Sequence, residues 1–136
     1  MMLPAILVVA IVQSASLAVT TVAQGANSGV SDARAVAVAS RADWDALWKS
    51  HAGLQTAPPV NFSQELVAAV FLGTRPTGGF SVEILRARRE GAALVIEYAE
   101  RVPAASDLVT QVLTSPFHIV KLPRFDGPIH FRKTSK

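Results

Sequence analysis

The stretch that decides the fold covers residues 70–84 and reads VFLGTRPTGGFSVEI. An apolar run ends at Leu72, a turn rich in glycine and proline follows, and apolar and polar residues alternate from Phe80 onward. Alternation with a period of two is typical of a strand with one buried face. Glycine and proline favour the backbone conformations that tight turns need. The stretch therefore predicts two strands joined by a short, stiff loop with Arg75 at its tip.

The residues that precede this stretch predict one helix. Ser40 and Asp43 have the spacing of an N-terminal capping box. The positions that then recur at i, i+3, i+4 and i+7 are Trp44, Leu47, Trp48 and His51. This spacing places the four side chains on one face. We expect a helix over residues 43–52, ended by Gly53, with both tryptophans buried against the core.

Short apolar segments predict the strands, at residues 33–39, 66–72, 80–84, 94–98, 109–113, 117–122 and 129–131. Residues 66–72 are apolar throughout, which indicates a central strand covered on both faces. Residues 86–92 predict a polar turn with Gly91 at a positive φ. The predicted fold class is α+β, with one N-terminal amphipathic helix packed on a mostly antiparallel β-sheet of five to seven short strands. The alternative is a β-sandwich with a helical insertion.

The N-terminal segment predicts export. Residues 1–31 contain no charged side chain, residues 3–12 are apolar, and small residues follow up to Gly25. This pattern is typical of a signal peptide over residues 1–25, cleaved after Ala23 or Gly25. The alternative is an uncleaved anchor, because Leu3 to Ala23 is 21 residues long, about the length that spans a bilayer. Residues 26–136 would then form a single domain in a secreted or periplasmic protein.

Composition restricts the classes of partner and chemistry. The chain has no cysteine, so disulfides, thiolate catalysis and a lipidated cysteine are excluded. Residues 116–136 carry five basic side chains against Asp126, but dispersed charge of this kind is usually a solvated face. Without stacking aromatics or a helix-turn-helix pattern we predict no nucleic-acid partner. We predict no membrane contact beyond the possible anchor.

The glycine-rich turn is the candidate binding site. Its residues are Gly73, Thr74, Arg75, Pro76, Thr77, Gly78, Gly79 and Phe80. Gly73 and Gly78 have the spacing of a phosphate loop, but Gly79 and Phe80 stand where that motif requires Lys and a hydroxyl residue. Two hypotheses stay open beside a purely structural turn: a protein contact anchored by Arg75 and Phe80, and an anion-binding nest of the amides of Gly78 and Gly79.

Catalytic and metal sites are not predicted. His51, His118 and His130 lack the spacing of a helical zinc pair, and neither HExxH nor GxSxG occurs. His118 and His130 fall in successive late strands and are the one pair that could meet. We therefore predict no catalytic residue, no metal and no cofactor, and a protein that is not an enzyme.

Four segments resemble one protein family. They are Asp43-Trp44 with Leu47-Trp48, Pro59-Val60-Asn61-Phe62, the stretch quoted above, and residues 113–120, which read LTSPFHIV. Together they resemble the C-terminal domain of the protease complex subunit PrcB family, over about residues 43–131. The most specific part is GTRPTGGF at residues 73–80. Asn61 departs from the family, which usually has Asp there.

The resemblance implies a function that the residues alone do not. The family's named member is a lipoprotein accessory of a secreted protease complex, thought to help its assembly or stability, without catalysis of its own. The resemblance therefore implies a non-catalytic, exported protein-binding module whose partner is an exported protease or another envelope protein. A lipid anchor does not carry over because the chain has no cysteine. The alternative function is a small-ligand or anion-binding module of the cell envelope.

Overall fold

The computed structural model describes residues 16–135. Eight strands and one helix follow each other along this part of the chain. In order they are β1 (Ser16–Leu17), β2 (Thr20–Gly25), β3 (Arg34–Val38), α1 (Arg41–Ala52), β4 (Glu65–Phe71), β5 (Ser81–Glu90), β6 (Ala93–Arg101), β7 (Phe117–Pro123) and β8 (Ile129–Lys133).

The strands form two four-stranded sheets. The first has the order β1-β5-β6-β8 and the second has the order β2-β7-β4-β3. Neighbouring strands are antiparallel except β6 and β8, which are parallel. Strands β3 and β8 are therefore edge strands of different sheets.

Strand β4 is buried on both faces, as its apolar sequence predicts. Alternate side chains on a strand point to opposite faces. One face contributes Leu66, Ala68 and Val70 to a core shared with apolar residues of β5 and β6. The other face contributes Val67, Ala69 and Phe71 to a second cluster, which also contains Trp44, Leu47 and Trp48 of α1. The prediction of a central strand is confirmed.

The helix has the predicted cap and the predicted buried face. The backbone N–H of Asp43 donates to Ser40 Oγ over 3.2 Å, and Gly53 ends the helix with a φ of 64°. Trp44 is fully buried, and its indole Nε1 donates to the carbonyl of Pro58 over 3.0 Å. That bond ties the helix to the connector before β4.

The predicted α+β fold is wrong. The molecule is mostly β: its strands divide between two sheets instead of forming one sheet of five to seven. Three strands precede α1, so the helix is not N-terminal, and it adds to the cluster on the outer side of only one sheet. The physical reason is that alternation shows that a strand has an apolar face without showing what covers that face.

Two local predictions are also wrong. Residues 109–113 form no strand; they belong to an irregular segment after β6. Residues 86–90 are not a turn but continue β5, and the chain turns at Gly91, whose φ is 61°. The polar run Arg86 to Glu90 suits a strand here because Arg86 and Arg88 both pair with the buried carboxylate of Glu97 on β6.

The predicted signal peptide lies partly outside the described residues. Residues 1–15 fall outside them, while residues 16–17 and 20–25 form β1 and β2. Strand β2 pairs with β7 from Thr20 to Gly25. Among residues 16–135, no helix has the length and apolar character needed to cross a membrane.

Candidate functional site

The glycine-rich turn, residues 73–80, connects β4 to β5 and is called the glycine loop below. Two of its glycines have positive φ: 80° at Gly73 and 89° at Gly79. Both are also crowded. A Cβ on Gly73 would lie 2.8 Å from the backbone nitrogen of Ala33, and one on Gly79 would lie 2.7 Å from a methyl group of Val109. Glycine is required at both positions, because the backbone conformation and the space exclude larger residues.

The segment that packs on Gly79 belongs to the connection between β6 and β7. This second loop covers residues 102–116. Arg75 and Thr114 exchange two backbone hydrogen bonds, of 2.8 and 3.0 Å. The backbone N–H of Gly78 donates to the carbonyl of Thr110 over 2.9 Å, and Thr114 Oγ1 donates to the carbonyl of Thr77 over 2.8 Å. The two loops are thus interlocked, and the amide of Gly78 is already used within the protein instead of facing an anion.

Arg75 lies between the two sheets and is not a solvated tip. Its side chain is 28% exposed, and Nε donates to Glu100 Oε2 on β6 over 3.0 Å. Its Nη1 donates to the carbonyl of Leu72 over 3.0 Å. The guanidinium also lies 5.9 Å from the ring centre of Phe80. The two residues predicted to anchor a contact are therefore neighbours, and one of them helps to hold the loop in place.

Glu100 on β6 accepts hydrogen bonds from two cationic side chains, those of Arg75 and Lys133. Its side chain is 7% exposed, and Oε1 accepts a hydrogen bond from Lys133 Nζ over 3.0 Å. Burial raises the pKa of Glu100, but the hydrogen bonds and positive charges of Arg75 and Lys133 outweigh burial and leave that pKa below its ordinary value. The carboxylate is therefore ionised at neutral pH.

The second loop exposes four large apolar side chains, two of which, Val112 and Leu113, belong to the strand predicted over residues 109–113. Leu108 is fully exposed, and Val102, Val112 and Leu113 are more than half exposed. The predicted strand over residues 109–113 (VTQVL) concealed this surface, because a strand in a sheet would bury Val112 or Leu113 against the core. The signal that could have revealed it is the dense punctuation of the segment by Pro103, Asp107, Ser115 and Pro116.

His118 has a structural role, and His130 does not lie near it. His118 on β7 and His130 on β8 lie in different sheets, so the predicted possibility of a meeting is not realised. His118 Nδ1 accepts from the backbone N–H of Ile84 over 2.8 Å, and Nε2 lies 2.9 Å from Thr21 Oγ1. Burial lowers the pKa of His118. Within residues 16–135, no three His, Asp or Glu side chains are grouped so that they could hold a metal ion.

The comparison with family models gives one match. The family is described as PrcB C-terminal, and its model matches residues 66–123. No curated protein and no solved structure matches the chain. The matched segment runs from β4 to β7 and contains both interlocked loops. Residues 66–123 of this chain belong to the PrcB C-terminal family.

Proposed function

We propose that this chain is a non-catalytic, protein-binding accessory or stabilising subunit of an exported protease complex. Membership of the PrcB C-terminal family supports association with a protease complex. The uncharged apolar leader supports a secreted or periplasmic location. The contact surface is the pair of interlocked loops, residues 73–80 and 102–116.

The observation that carries this proposal is the exposure of Leu108, Val112 and Leu113 on the second loop. Backbone hydrogen bonds at Thr110 and Thr114 fix this loop to the glycine loop. Large apolar side chains gain free energy when a partner removes them from water. A surface that is already ordered loses little conformational entropy on binding, so more of that free energy appears as affinity. The combination suits a protein partner with an apolar groove or patch.

A recovery experiment tests the proposed surface. The tagged chain is isolated from the exported fraction of the producing cell, and co-purifying proteases are identified by mass spectrometry and by active-site labelling. We expect the wild type to recover a protease and the double substitution Leu108→Ser with Leu113→Ser to reduce recovery at least about tenfold, the effect of losing one binding hot spot. Both side chains are exposed, so the free energy of unfolding of the variant should differ from that of the wild type by no more than about 0.5 kcal/mol.

Leu54 provides the matched control. It is almost fully exposed and follows the end of α1, outside both loops. Leu54→Ser removes the same kind of side chain, and its recovery of the protease should equal that of the wild type. Equal recovery by the double variant would refute the loops as the contact, and the absence of any protease with the wild type would refute the proposed function.

A further inference from the structure

A cavity of about 330 Å³ lies between β3 and β8, the edge strands of different sheets. Strands β3, β4, β6 and β8 all contribute side chains to its wall, as does the glycine loop through Arg75. Its charged lining residues are Arg34, Arg75, Glu100 and Lys133, and its apolar lining includes Ala35, Val70 and Leu72. The lining thus mixes charged side chains with apolar ones, of which Ala35 is exposed while Val70 and Leu72 are buried.

The charges in this cavity do not balance. Three cationic side chains surround one carboxylate, that of Glu100, which leaves two positive charges uncompensated. Glu100 pairs with Arg75 and Lys133. Arg34 lies on the free edge strand β3 and has no ion pair or side-chain hydrogen bond within residues 16–135. Like charges held near one another repel, and an anion between them removes that repulsion.

Hydrogen-bond donors also remain available. Arg75 uses Nε and Nη1 for its bonds within the described residues, so both N–H groups of Nη2 are left over. An ammonium has three donors, and Lys133 uses one of them on Glu100. A guanidinium matches the geometry of a carboxylate, which accepts two parallel hydrogen bonds. Exposed Ala35 in the same lining offers an apolar contact to the aliphatic chain of a carboxylic acid, which a small inorganic anion lacks.

We propose that this cavity binds a carboxylate group, held by Arg34 with the remaining donors of Arg75 and Lys133. The carboxylate has two sources with the same chemistry. One is a small free carboxylic acid, and the other is the C-terminal carboxylate of a peptide whose backbone pairs with the free edge of β3. The site is separate from the exposed side chains of the second loop and does not depend on a protease partner.

The test uses the purified chain and four probes: butyrate, acetyl-Ala-Ala-Val with a free C-terminus, the same peptide as its C-terminal amide, and inorganic phosphate. Amide NMR resonances of Arg34, Tyr98 and Glu100 report on the cavity. We expect saturable shifts with butyrate and with the free-acid peptide, and none with the amide. Tighter binding of the peptide than of butyrate identifies a chain terminus as the ligand, and equal binding identifies a small acid.

Arg34→Gln removes the cation that has no internal partner and should weaken carboxylate binding about tenfold, the effect of one charge-assisted hydrogen bond. Arg41→Gln removes an exposed cation at the start of α1 and should leave the affinity unchanged. An equal response to acid and amide, unchanged affinity of Arg34→Gln, or shifts with phosphate alone would overturn the proposal.

Discussion

At the scale of single residues, His118 joins the two sheets. It belongs to β7 in one sheet, and its Nδ1 accepts the backbone N–H of Ile84 in the other, where the register of β5 shifts between Ile84 and Arg86. A backbone N–H can only donate, so Nδ1 is the acceptor and Nε2 carries the proton that faces Thr21 Oγ1. Protonation of Nδ1 would break the bond to Ile84. The neutral ring is therefore the form that the fold requires.

This requirement predicts a pH dependence of stability. Burial lowers the pKa of His118 below 6.5, against a smaller opposing effect of Glu83, and burial also lowers the pKa of His51. Below pH 6.5 the unfolded chain takes up protons that the folded chain does not, so the unfolding free energy falls as the pH falls toward the folded-state pKa values. Each histidine contributes a slope of up to about 1.4 kcal/mol per pH unit in that window.

Urea unfolding between pH 4.5 and 8 measures this slope. His118→Gln should reduce the slope and leave the contribution of His51, whatever the variant does to stability at pH 8. The matched control is His130→Gln on β8, where the side chain is exposed, and it should retain the slope of the wild type. A wild-type slope in His118→Gln would show that the buried ring is not the titrating group.

At the scale of elements, the glycine loop is the surface on which the second loop packs. Gly79 lies against both Val109 and Pro103, and Arg75, Thr77 and Gly78 make the hydrogen bonds to the second loop. The same residues that made the glycine loop a candidate binding site thus have a structural task. The exposed residues of the glycine loop are Thr74, Pro76 and Gly79, so these are the ones that a partner would reach directly.

Gly79→Ala tests whether this packing of the second loop on the glycine loop contributes to stability. The added methyl group would lie 2.7 Å from Val109 and 2.9 Å from Pro103, at a φ of 89°. We expect a loss of about 2–4 kcal/mol in unfolding free energy, from backbone strain of about 1–2 kcal/mol together with overpacking of similar size. Hydrogen exchange at the amides of Gly78 and Thr114 should also become faster, because their bonds join the loops.

Gly91→Ala is the control that measures backbone strain without overpacking. Gly91 has a φ of 61° and no neighbour within 4 Å of the added Cβ. Its cost should stay near about 1 kcal/mol, the usual strain of a left-handed alanine. Equal costs for the two substitutions would show that the second loop moves away from Gly79 without loss.

How far the sequence predicts the fold depends on the kind of signal. Local signals succeed: the Ser40 cap, the helical spacing of Trp44 and Trp48, the apolar run of β4 and the positive φ of Gly91 all appear where predicted. The pairing of strands that are distant in sequence could not be predicted. Thr20 to Gly25 carry small and β-branched residues that suit a leader and a strand equally well, and only their pairing with β7 separates the two.

In the candidate site too, local features could be predicted and contacts between distant residues could not. The stiffness of the glycine loop follows from its composition, but the partner of Arg75, the buried Glu100, is 25 residues away in sequence. No spacing rule connects the two, and Arg34 reaches the same cavity only because β3 and β8 are edges of different sheets. Of the two exposed leucines of the second loop, Leu113 falls in the segment that predicts a strand and Leu108 lies just before it, and no local pattern shows that both are exposed.

At the scale of the whole molecule, the position of β2 bears on export. Cleavage after Ala23 or Gly25, as the leader pattern predicts, would remove Thr21 and most or all of the strand that pairs with β7. The edge of β7 would then lose its partner, and an unpaired edge is prone to pair with another chain. We propose that the exported chain keeps β2, with any cleavage before Thr20.

Intact-mass measurement of protein from the producing cell tests export and this N-terminus together. We expect exported material whose mass includes Thr20 and all residues after it. Material cut after Ala23 or Gly25 would contradict retention of β2 while supporting export. Full-length protein confined to the cytoplasm would contradict export, and full-length protein in the membrane fraction would identify the segment as an anchor.

The pairing of β2 with β7 also sets the order in which the protein can fold. Thr21 and His118, which meet across this pair, are 97 residues apart in sequence. During synthesis at about 5–20 residues per second, β2 waits several seconds before its neighbour exists. Contacts of such sequence separation slow folding, because the entropy of closing the intervening chain is lost before any contact forms. The second sheet therefore closes only after β7 has been synthesised, although the strands of the β5-β6 pair are available earlier.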